Sequence, residues 1–398
     1  MVPLLSGLRV IDLTTVIYGP LIGQILGDFG AEVIKVEAPE GDIARETHPR
    51  SAAGDAAMYL NNNRNKRGVV LDLKTPGGAA VLRRLLAGAD VFIHNMRVAA
   101  IERLGFGFTD VAALNPDIIY LAAVGFGREG RYRDRPAFDD VIQAASGLAS
   151  LPSYRGGTPD YVAGVMADKI AALYATHGVL AAIAARARGV AGPIEVEAAM
   201  FESVAGFVLN EHLAGATFDA AADKVGYHRM FAPARRPYRT ADGWIAALPY
   251  TGAQWRRVLD HVGRQDITGA AWFAEGAERN RRIAELYEAV AAAMPAQTTE
   301  EWLAVLARLD IPHSRVNRLE DLLEDPHLRD VDFFAPNGVE AAGQLRALRQ
   351  PLRYHGVENR PDLPAPGLGA DTDAVLREAG YAEAEIAALR EAGAVRGG

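Results

Sequence analysis

The sequence predicts an α/β protein with a mainly parallel sheet, followed by a second block of α+β character. Two observations carry this. From residue 8 to about 124, short apolar or alternating runs that suit strands take turns with runs that suit helices, and strands linked through helices pair in parallel, with helices on both faces. At 398 residues the chain also exceeds the roughly 250–300 residues at which a single core stops growing, so two domains are expected.

Residues 8–13 are short and apolar and read as a strand. Gly19-Pro20 opens a helix running to Phe29, because proline suits a first helical turn and Gly30 suits its end. Residues 32–36 alternate with period two, the mark of a half-buried strand. A strand at 68–73, a helix at 76–86, a strand at 90–94, a short helix at 110–114 and a strand at 117–124 follow. Helices are expected at 138–148 and, long and Ala-rich, at 168–187, with a strand at 193–196 leading into a helix at 198–212. The polar stretch 219–224 reads as a linker. Residues 238–246 suit a hairpin with Asp242-Gly243 at its turn. Amphipathic helices at 253–262, 279–294 and 299–309 come next, the last with Thr298, Thr299 and Glu301 to cap it. Two short helices, 372–378 and 382–390, close the chain.

Composition narrows the function classes. Hydrophobic residues at 49% and charged residues at 23% describe an ordinary globular protein. A net charge of −8 argues against nucleic acid or an anionic membrane as partner, so an anionic ligand needs a local basic cluster. Without cysteine there are no disulfides, no thiolate catalysis and no sulfur-rich zinc site, which fits a reducing compartment. The first residues lack the basic and apolar regions of a signal peptide, and no uninterrupted apolar run is long enough to span a membrane. A cytoplasmic enzyme is the expectation. Neither a G-x-S-x-G elbow nor an H-E-x-x-H pair is present, and no metal site is expected.

In open parallel sheets the ligand sits beyond the carboxyl ends of the strands, so the loops there hold the candidate binding residues. They comprise 14–20 ahead of a helix N-terminus, the polar run 61–67 with Lys74 nearby, Asn95-Met96-Arg97 with Arg103, and 125–136 with four arginines. Basic residues fanned around one sheet edge suit a ligand with several phosphates. Gly125, Gly127 and Gly130 spell G-x-G-x-x-G after a strand, but no helix opens inside the motif and no acidic residue stands about 20 positions on, so a nicotinamide site is not expected. Those glycines read as a flexible loop over a ligand.

The long helix carries the candidate for chemistry. At about 100° per residue, Met166, Ile170, Leu173, His177 and Leu180 share an apolar stripe, and His177 reads as a packed core imidazole. Asp168 lies on the opposite side with Gly164, Ala171, Ala175 and Ala182, a lone carboxylate on a face of small residues that admits a close neighbour or a flat ligand. By position Asp168 suits either a helix cap or a nucleophile. Asp139 and Asp140 suit either an acid/base role or the first turn of a helix.

An ordered set of motifs resembles the class III CoA-transferases, the family of formyl-CoA and carnitine-CoA transferase. They are Gly7-Leu8-Arg9-Val10-Ile11-Asp12-Leu13 with Gly19-Pro20, Gly30-Ala31-Glu32-Val33-Ile34-Lys35-Val36-Glu37, Asn63-Arg64-Asn65-Lys66-Arg67, Leu71-Asp72-Leu73-Lys74, Arg135-Pro136-Ala137-Phe138-Asp139, Val165-Met166-Ala167-Asp168, and Leu368-Gly369-Ala370-Asp371-Thr372-Asp373 with Leu376. The resemblance implies a Rossmann-like large domain built from both chain ends, a smaller middle domain and an interlinked homodimer. On it, 1–200 and 346–398 form the large CoA-binding domain, 225–325 the small one, and 201–224 and 326–345 the linkers. It implies acyl-CoA:carboxylate CoA-transfer with acyl-CoA and a small carboxylic acid as substrates, coenzyme A being substrate and no cofactor being permanently bound. Asp168 matches the family's catalytic aspartate, and Val16, Ile17, Leu71, Lys74, Asn95, Met96, Arg97 and Arg103 match CoA contacts. From an ordinary Asp pKa of about 3.9, and with a helix N-terminus opposing any rise, Asp168 is expected to stay ionised at pH 7.

The chain also departs from its relatives. Leu248-Pro249-Tyr250-Thr251-Gly252 stands in place of the glycine-rich loop of formyl-CoA transferase, and Ala38 stands where some relatives carry an arginine. The α-methylacyl-CoA racemases place a histidine at the position of Phe138, and without that base here two-base proton exchange at the α-carbon loses one partner. Racemisation or epimerisation is the alternative activity, and a catalytically silent CoA-binding protein is the third reading.

Overall fold

The computed structural model describes residues 3–52, 54–218, 225–339, 343–357 and 363–397. The expected linker 219–224 lies outside the described residues. The chain forms two compact units, one of Met1–Leu148, Tyr161–Phe207 and Arg329–Gly398, the other of Ala149–Asp160 and Val208–Leu328.

The first unit is built on β1 (Arg9–Leu13), β2 (Glu32–Glu37), β3 (Lys66–Leu71), β4 (Val91–His94), β5 (Ile119–Val124) and β6 (Ile194–Ala199). They pair in parallel in the order β3-β2-β1-β4-β5-β6, and a short C-terminal strand, Val395–Arg396, adds antiparallel to β3 to make a seven-stranded sheet. β4 and β5 are buried throughout, as strands covered on both faces must be. The chain leaves β1 towards β2 on one side and reaches β4 on the other, so the crevice between the ends of β1 and β4 is the topological switch point where α/β sheets bind ligands.

The main apolar cluster joins Ile11, Ile34 and Phe92 of the sheet to Leu82 and Leu85 of the helix Pro76–Leu86 and to Leu376 and Ile386 near the C-terminus. The C-terminal motif seen in the sequence is part of this closure. The Asp371 carboxylate accepts from the Gly68 N–H at 2.8 Å, and the Thr372 hydroxyl accepts from the Val70 N–H at 3.2 Å. The chain end thus seals the edge of β3.

Helix α1 (Tyr18–Asp28) and the long helix α7 (Met166–Ala187) pack on each other, and α7 also packs on β5 and β6. Between them in the chain lie α2 (Ala57–Asn63), α3 (Pro76–Leu86), α4 (Val98–Arg103), α5 (Phe108–Leu114) and α6 (Asp139–Ala145). The face that α7 buries is the small one, with Asp168, Ala171, Ala175, Thr176 and Ala182. The expected apolar stripe runs mostly outward: Leu173 is 51% exposed and His177 is exposed, so His177 is not the packed core imidazole expected. Small side chains win because they let α7 approach α1 and the sheet closely, and close approach outweighs side-chain size. By length and composition α7 is apolar enough to cross a membrane, yet its buried face and its packing on α1, β5 and β6 account for that composition.

Beneath α1, the run 61–67 turns out to be scaffold, not a basic ligand loop. Arg64 forms a two-pronged pair with Asp28, and Asn65 Nδ2 donates to the same carboxylate at 2.7 Å. Arg67 pairs with Glu32 and Glu378. Lys66 is fully buried and donates to Asp12 Oδ2 at 2.8 Å, Asn63 Oδ1 at 2.8 Å and Pro20 O at 2.7 Å. Burial pushes this ammonium down to about 8, and Asp12 beside it resists the fall. α1 makes room for the pair through Gly23, where a Cβ atom would meet Asp12 Oδ2 at 2.5 Å and Lys66 Nζ at 3.2 Å.

The second unit holds an antiparallel sheet of Tyr238–Arg239, Trp244–Ala247 and His313–Arg315. The expected hairpin is therefore present, and Trp255, Phe273, Tyr287 and Trp302 fill its core. Thr298 and Glu301 form the expected capping box of the helix Thr299–Arg308. The single helix expected over 279–294 is broken into Gly276–Arg281 and Ile283–Ala293, because Arg282 at φ −99° and ψ 21° leaves the helical region.

Gly23→Ala is expected to force the Asp12 carboxylate off Lys66 and to cost about 1–3 kcal/mol, the usual penalty of overpacking. Urea unfolding monitored by far-UV circular dichroism measures this.

Candidate active site

The turn between β1 and α1 is tied residue by residue. The Thr14 N–H and hydroxyl both donate to Asp12 Oδ1, the N–H at 3.0 Å, while Thr14 O accepts from buried Lys35 at 2.8 Å. Thr15 is gripped by the Asn95 amide, whose Nδ2 donates to Thr15 O at 2.8 Å and whose Oδ1 accepts from the Thr15 N–H at 3.0 Å. The Val16 N–H donates to both oxygens of Asp42, at 3.0 and 3.3 Å. Val16 has φ 73°, which for a β-branched residue marks strain.

Opposite stands Asp168, third residue of α7. Val165, the residue that begins this helix, offers no side-chain cap. The cap comes from α6, where Asp139 Oδ1 accepts from the Asp168 N–H at 2.9 Å. Asp139 also accepts from Gln143 Nε2 at 2.6 Å, and the Gln143 amide oxygen takes the Val162 N–H at 2.9 Å. Asp168 therefore does not serve as the cap of its own helix, and its carboxylate faces a cavity.

That cavity, of about 230 Å³, is lined by Thr15, Val16 and Tyr18 after β1, by Asn95, Met96 and Arg97 after β4, by Arg133, Arg135 and Phe138 after β5, and by Asp168. Its volume is below the roughly 300–1,000 Å³ of a pocket for a whole ligand, which suits the reacting end of a larger one. Among the described residues, the ionisable groups of the wall apart from Tyr18 are three guanidinium groups and one carboxylate. The Tyr18 hydroxyl donates to Ala198 O at 2.8 Å, and burial together with the Asp168 charge pushes its pKa well up, so it stays a neutral wall.

Burial first and the Asp139 charge second push Asp168 up to about 7, against the pull of Lys169. From the sequence alone this carboxylate is expected to be ionised at pH 7 unless its site is very dry. Enclosure and a like charge outweigh the helix N-terminus and raise the carboxyl far above its ordinary range.

Of the residues expected to contact coenzyme A, Val16, Asn95, Met96 and Arg97 share the cavity wall with Asp168. Ile17, Leu71, Lys74 and Arg103 do not: Ile17 and Leu71 are buried in the fold, and Lys74 and Arg103 are exposed outside this wall. Asn95 spends its amide on Thr15, so its side chain acts on the turn. In the loop after β5, Arg128 is held by Glu195 and Glu197, and the Gly127 N–H donates to Glu202 at 3.0 Å, so this part is anchored to β6 and to the helix that follows it. The next helix opens only at Asp139, well past the three glycines. Tyr18 falls within the expected binding loop 14–20, whereas Lys35 and Asp42 are not marked as site residues by the sequence. Gly41-Asp42 signals a turn but not what that turn holds, and no periodicity marks a buried lysine.

The protonated fraction of Asp168, read by carbodiimide labelling and peptide mass spectrometry across pH, is expected to fall through a midpoint near 7. Asp139→Asn keeps the oxygen that accepts the Asp168 N–H but removes the like charge, and is expected to move that midpoint downward. The larger effect of burial remains in that variant.

Residues 5–372 match the sequence model of the family described as CoA-transferase family III. The succinyl-CoA–L-malate CoA-transferase beta subunit of Chloroflexus aurantiacus is 31% identical over 405 residues, spanning 97% of this chain and 96% of its own. The succinate–glutarate CoA-transferase of Agrobacterium fabrum is 30% identical, spanning 94% and 96%. Among solved structures, a CAIB/BAIF family protein from Brucella suis aligns with a TM-score of 0.82 at 27% identity, over 95% of this chain and 100% of that one. With nearly its whole length matched, the chain belongs to CoA-transferase family III.

Proposed function

We propose that this enzyme moves coenzyme A from an acyl-CoA donor to a small carboxylic acid, with Asp168 as the covalent nucleophile. The observation that carries this reading is the placement of Asp168: among the described residues, a single carboxylate, 9% exposed, in a cavity wall otherwise charged only by Arg97, Arg133 and Arg135. The relatives' names, with succinyl-CoA, malate and glutarate, support short carboxylic acids as substrates.

The ionised carboxylate of Asp168 attacks the donor thioester carbonyl, the C–S bond breaks, and a mixed anhydride and the CoA thiolate result. The thiolate then attacks the Asp168 carbonyl, expels the donor acid and leaves an aspartyl-CoA thioester. The acceptor carboxylate attacks this thioester, and the thiolate released returns to the acceptor's carbonyl, which frees Asp168. The route passes between thioesters and higher-energy anhydrides, so that one difficult exchange of thioesters is divided into easier steps. It succeeds only if water is excluded, which a narrow, buried site favours. Val16, Met96 and Arg97 are assigned to the thioester end of the coenzyme. The exposed cations Lys74 and Arg103 suit its phosphates, and Ile17 and Leu71 support the turns beside it.

The same reading takes 1–200 with 346–398 as the large domain, 225–325 as the small domain, and an interlinked homodimer as the assembly. Two observations support it: the compact units of the fold, and the half-exposed apolar side chains of Leu173, Tyr174 and Phe207. Two relatives are named as beta and alpha subunits, so light scattering of the purified chain alone tests whether it dimerises with itself. Racemisation finds little support, since Phe138 brings no titratable atom to the cavity wall.

Intact-mass spectrometry after mixing with a panel of acyl-CoAs and hydroxylamine is expected to find a hydroxamate at Asp168; no adduct with any donor defeats the covalent route. Asp168→Asn is expected to lower turnover roughly a thousandfold or more while coenzyme A still binds; unchanged turnover defeats the nucleophile. Deuterium exchange at the donor α-carbon without an acceptor acid indicates racemisation instead. Because only the ionised carboxylate attacks, and its pKa is raised to about 7, the transfer rate is expected to climb as pH rises through about 7 and then level off.

A further inference from the structure

We infer that Asp42, anchored by Lys35, is a positioning residue that holds the Val16 peptide in its left-handed conformation and so presets the turn that receives the acyl-CoA. This rests on the function proposed above.

Val16 lines the cavity with Asp168, and its φ of 73° is one that valine avoids and glycine adopts freely. Such a conformation persists only where its surroundings over-determine it. Here they do: Thr14 is held by Asp12 and Lys35, Thr15 by Asn95, and Val16 by Asp42. The Val16 bond is the one made at the strained residue itself. Both Asp42 oxygens receive the Val16 N–H, while Oδ1 also accepts from the Ala44 N–H at 2.9 Å and Oδ2 from Lys35 at 2.9 Å.

The side chains of Asp42 and Lys35 are both fully buried, and Lys35 divides its bonds between Asp42 and Thr14 O, so one ammonium braces the turn at two points. The Asp42 N–H donates to Glu37 Oε2 at 2.9 Å, and Arg45 grips Glu37 with two bonds of 2.8 Å, which fixes the clamp to the end of β2. Burial pushes the Asp42 carboxyl up, but Lys35 and the N–H groups of Ala44 and Val16 outweigh it and hold it below the usual carboxylate range. The clamp is a lasting anion. A glycine at position 16 would need none of this, so the valine and the buried pair make sense together as a device that sets the turn before ligand arrives.

The test is calorimetric titration with free coenzyme A. Asp42→Asn keeps the size of the side chain and removes the charge, and is expected to weaken the dissociation constant roughly tenfold or more, the effect of losing one charge-assisted hydrogen bond. In a V16G background the same substitution is expected to cost less than about threefold, because glycine holds the turn unaided. An equal loss in both backgrounds overturns the inference, as does a folded D42N protein with unchanged affinity.

Should D42N alone not fold, K35M/D42L removes the pair without leaving a charge stranded. It is expected to show the same weakening, and wild-type affinity overturns the inference. V16G by itself is expected not to lower Tm; a fall of about 4 °C or more shows an unstrained turn and overturns it too. A wild-type protein that fails to bind coenzyme A counts against the proposed function and not against the clamp.

Discussion

Two buried ion pairs, Lys66 with Asp12 and Lys35 with Asp42, are the constraint on which the site depends. An ammonium taken out of water loses several kcal/mol of hydration unless close partners replace it. Each lysine here has one carboxylate and at least one backbone carbonyl. The carbonyls belong to Thr14 and Pro20, which bracket the turn between β1 and α1, so satisfying the lysines and shaping the turn are one event. The two ammonium groups also repel each other, and each therefore needs its own anion.

From that turn the geometry passes to the chemistry. Val16, held out of its preferred conformation, shares a wall with a carboxylate whose own helix start is capped by a second carboxylate, Asp139. A helix N-terminus favours an anion by less than one pKa unit. Burial and Asp139 together exceed this and bring Asp168 to about 7. Enclosure thus raises the proton affinity of the group, and with it the basicity on which a carboxylate nucleophile draws. The surrounding guanidinium groups of Arg97, Arg133 and Arg135 leave the wall positive overall, which suits anionic substrates.

Much of this is legible in the sequence. Alternation of strand and helix patterns predicted the parallel sheet, and the fully buried β5 follows from its unbroken apolar run. The hairpin at Asp242-Gly243 and the Thr298–Glu301 cap were legible because both signals are local. Other readings failed for a common reason. The polar run 61–67 looks the same in sequence whether it meets phosphates or Asp12, Asp28 and Glu378, and burial of Lys66 depends on residues far away in the chain. On α7 the choice of buried face turned on how closely α1 and the sheet could approach, so small residues displaced His177 and Leu173 from the interior.

By itself, then, the sequence determined the class of fold, the family and the position of the candidate nucleophile, because periodicity, turn chemistry and ordered motifs are properties of neighbouring residues. Only the tertiary structure decided which charges face the cavity and which are consumed inside the protein. It likewise decided that Asn95 holds a turn, that Asp139 caps the helix of Asp168, and that this carboxylate is poised near neutrality. Those outcomes depend on distance and enclosure between segments tens of residues apart, and the energy of a charge changes with its surroundings far more than with its neighbours in sequence.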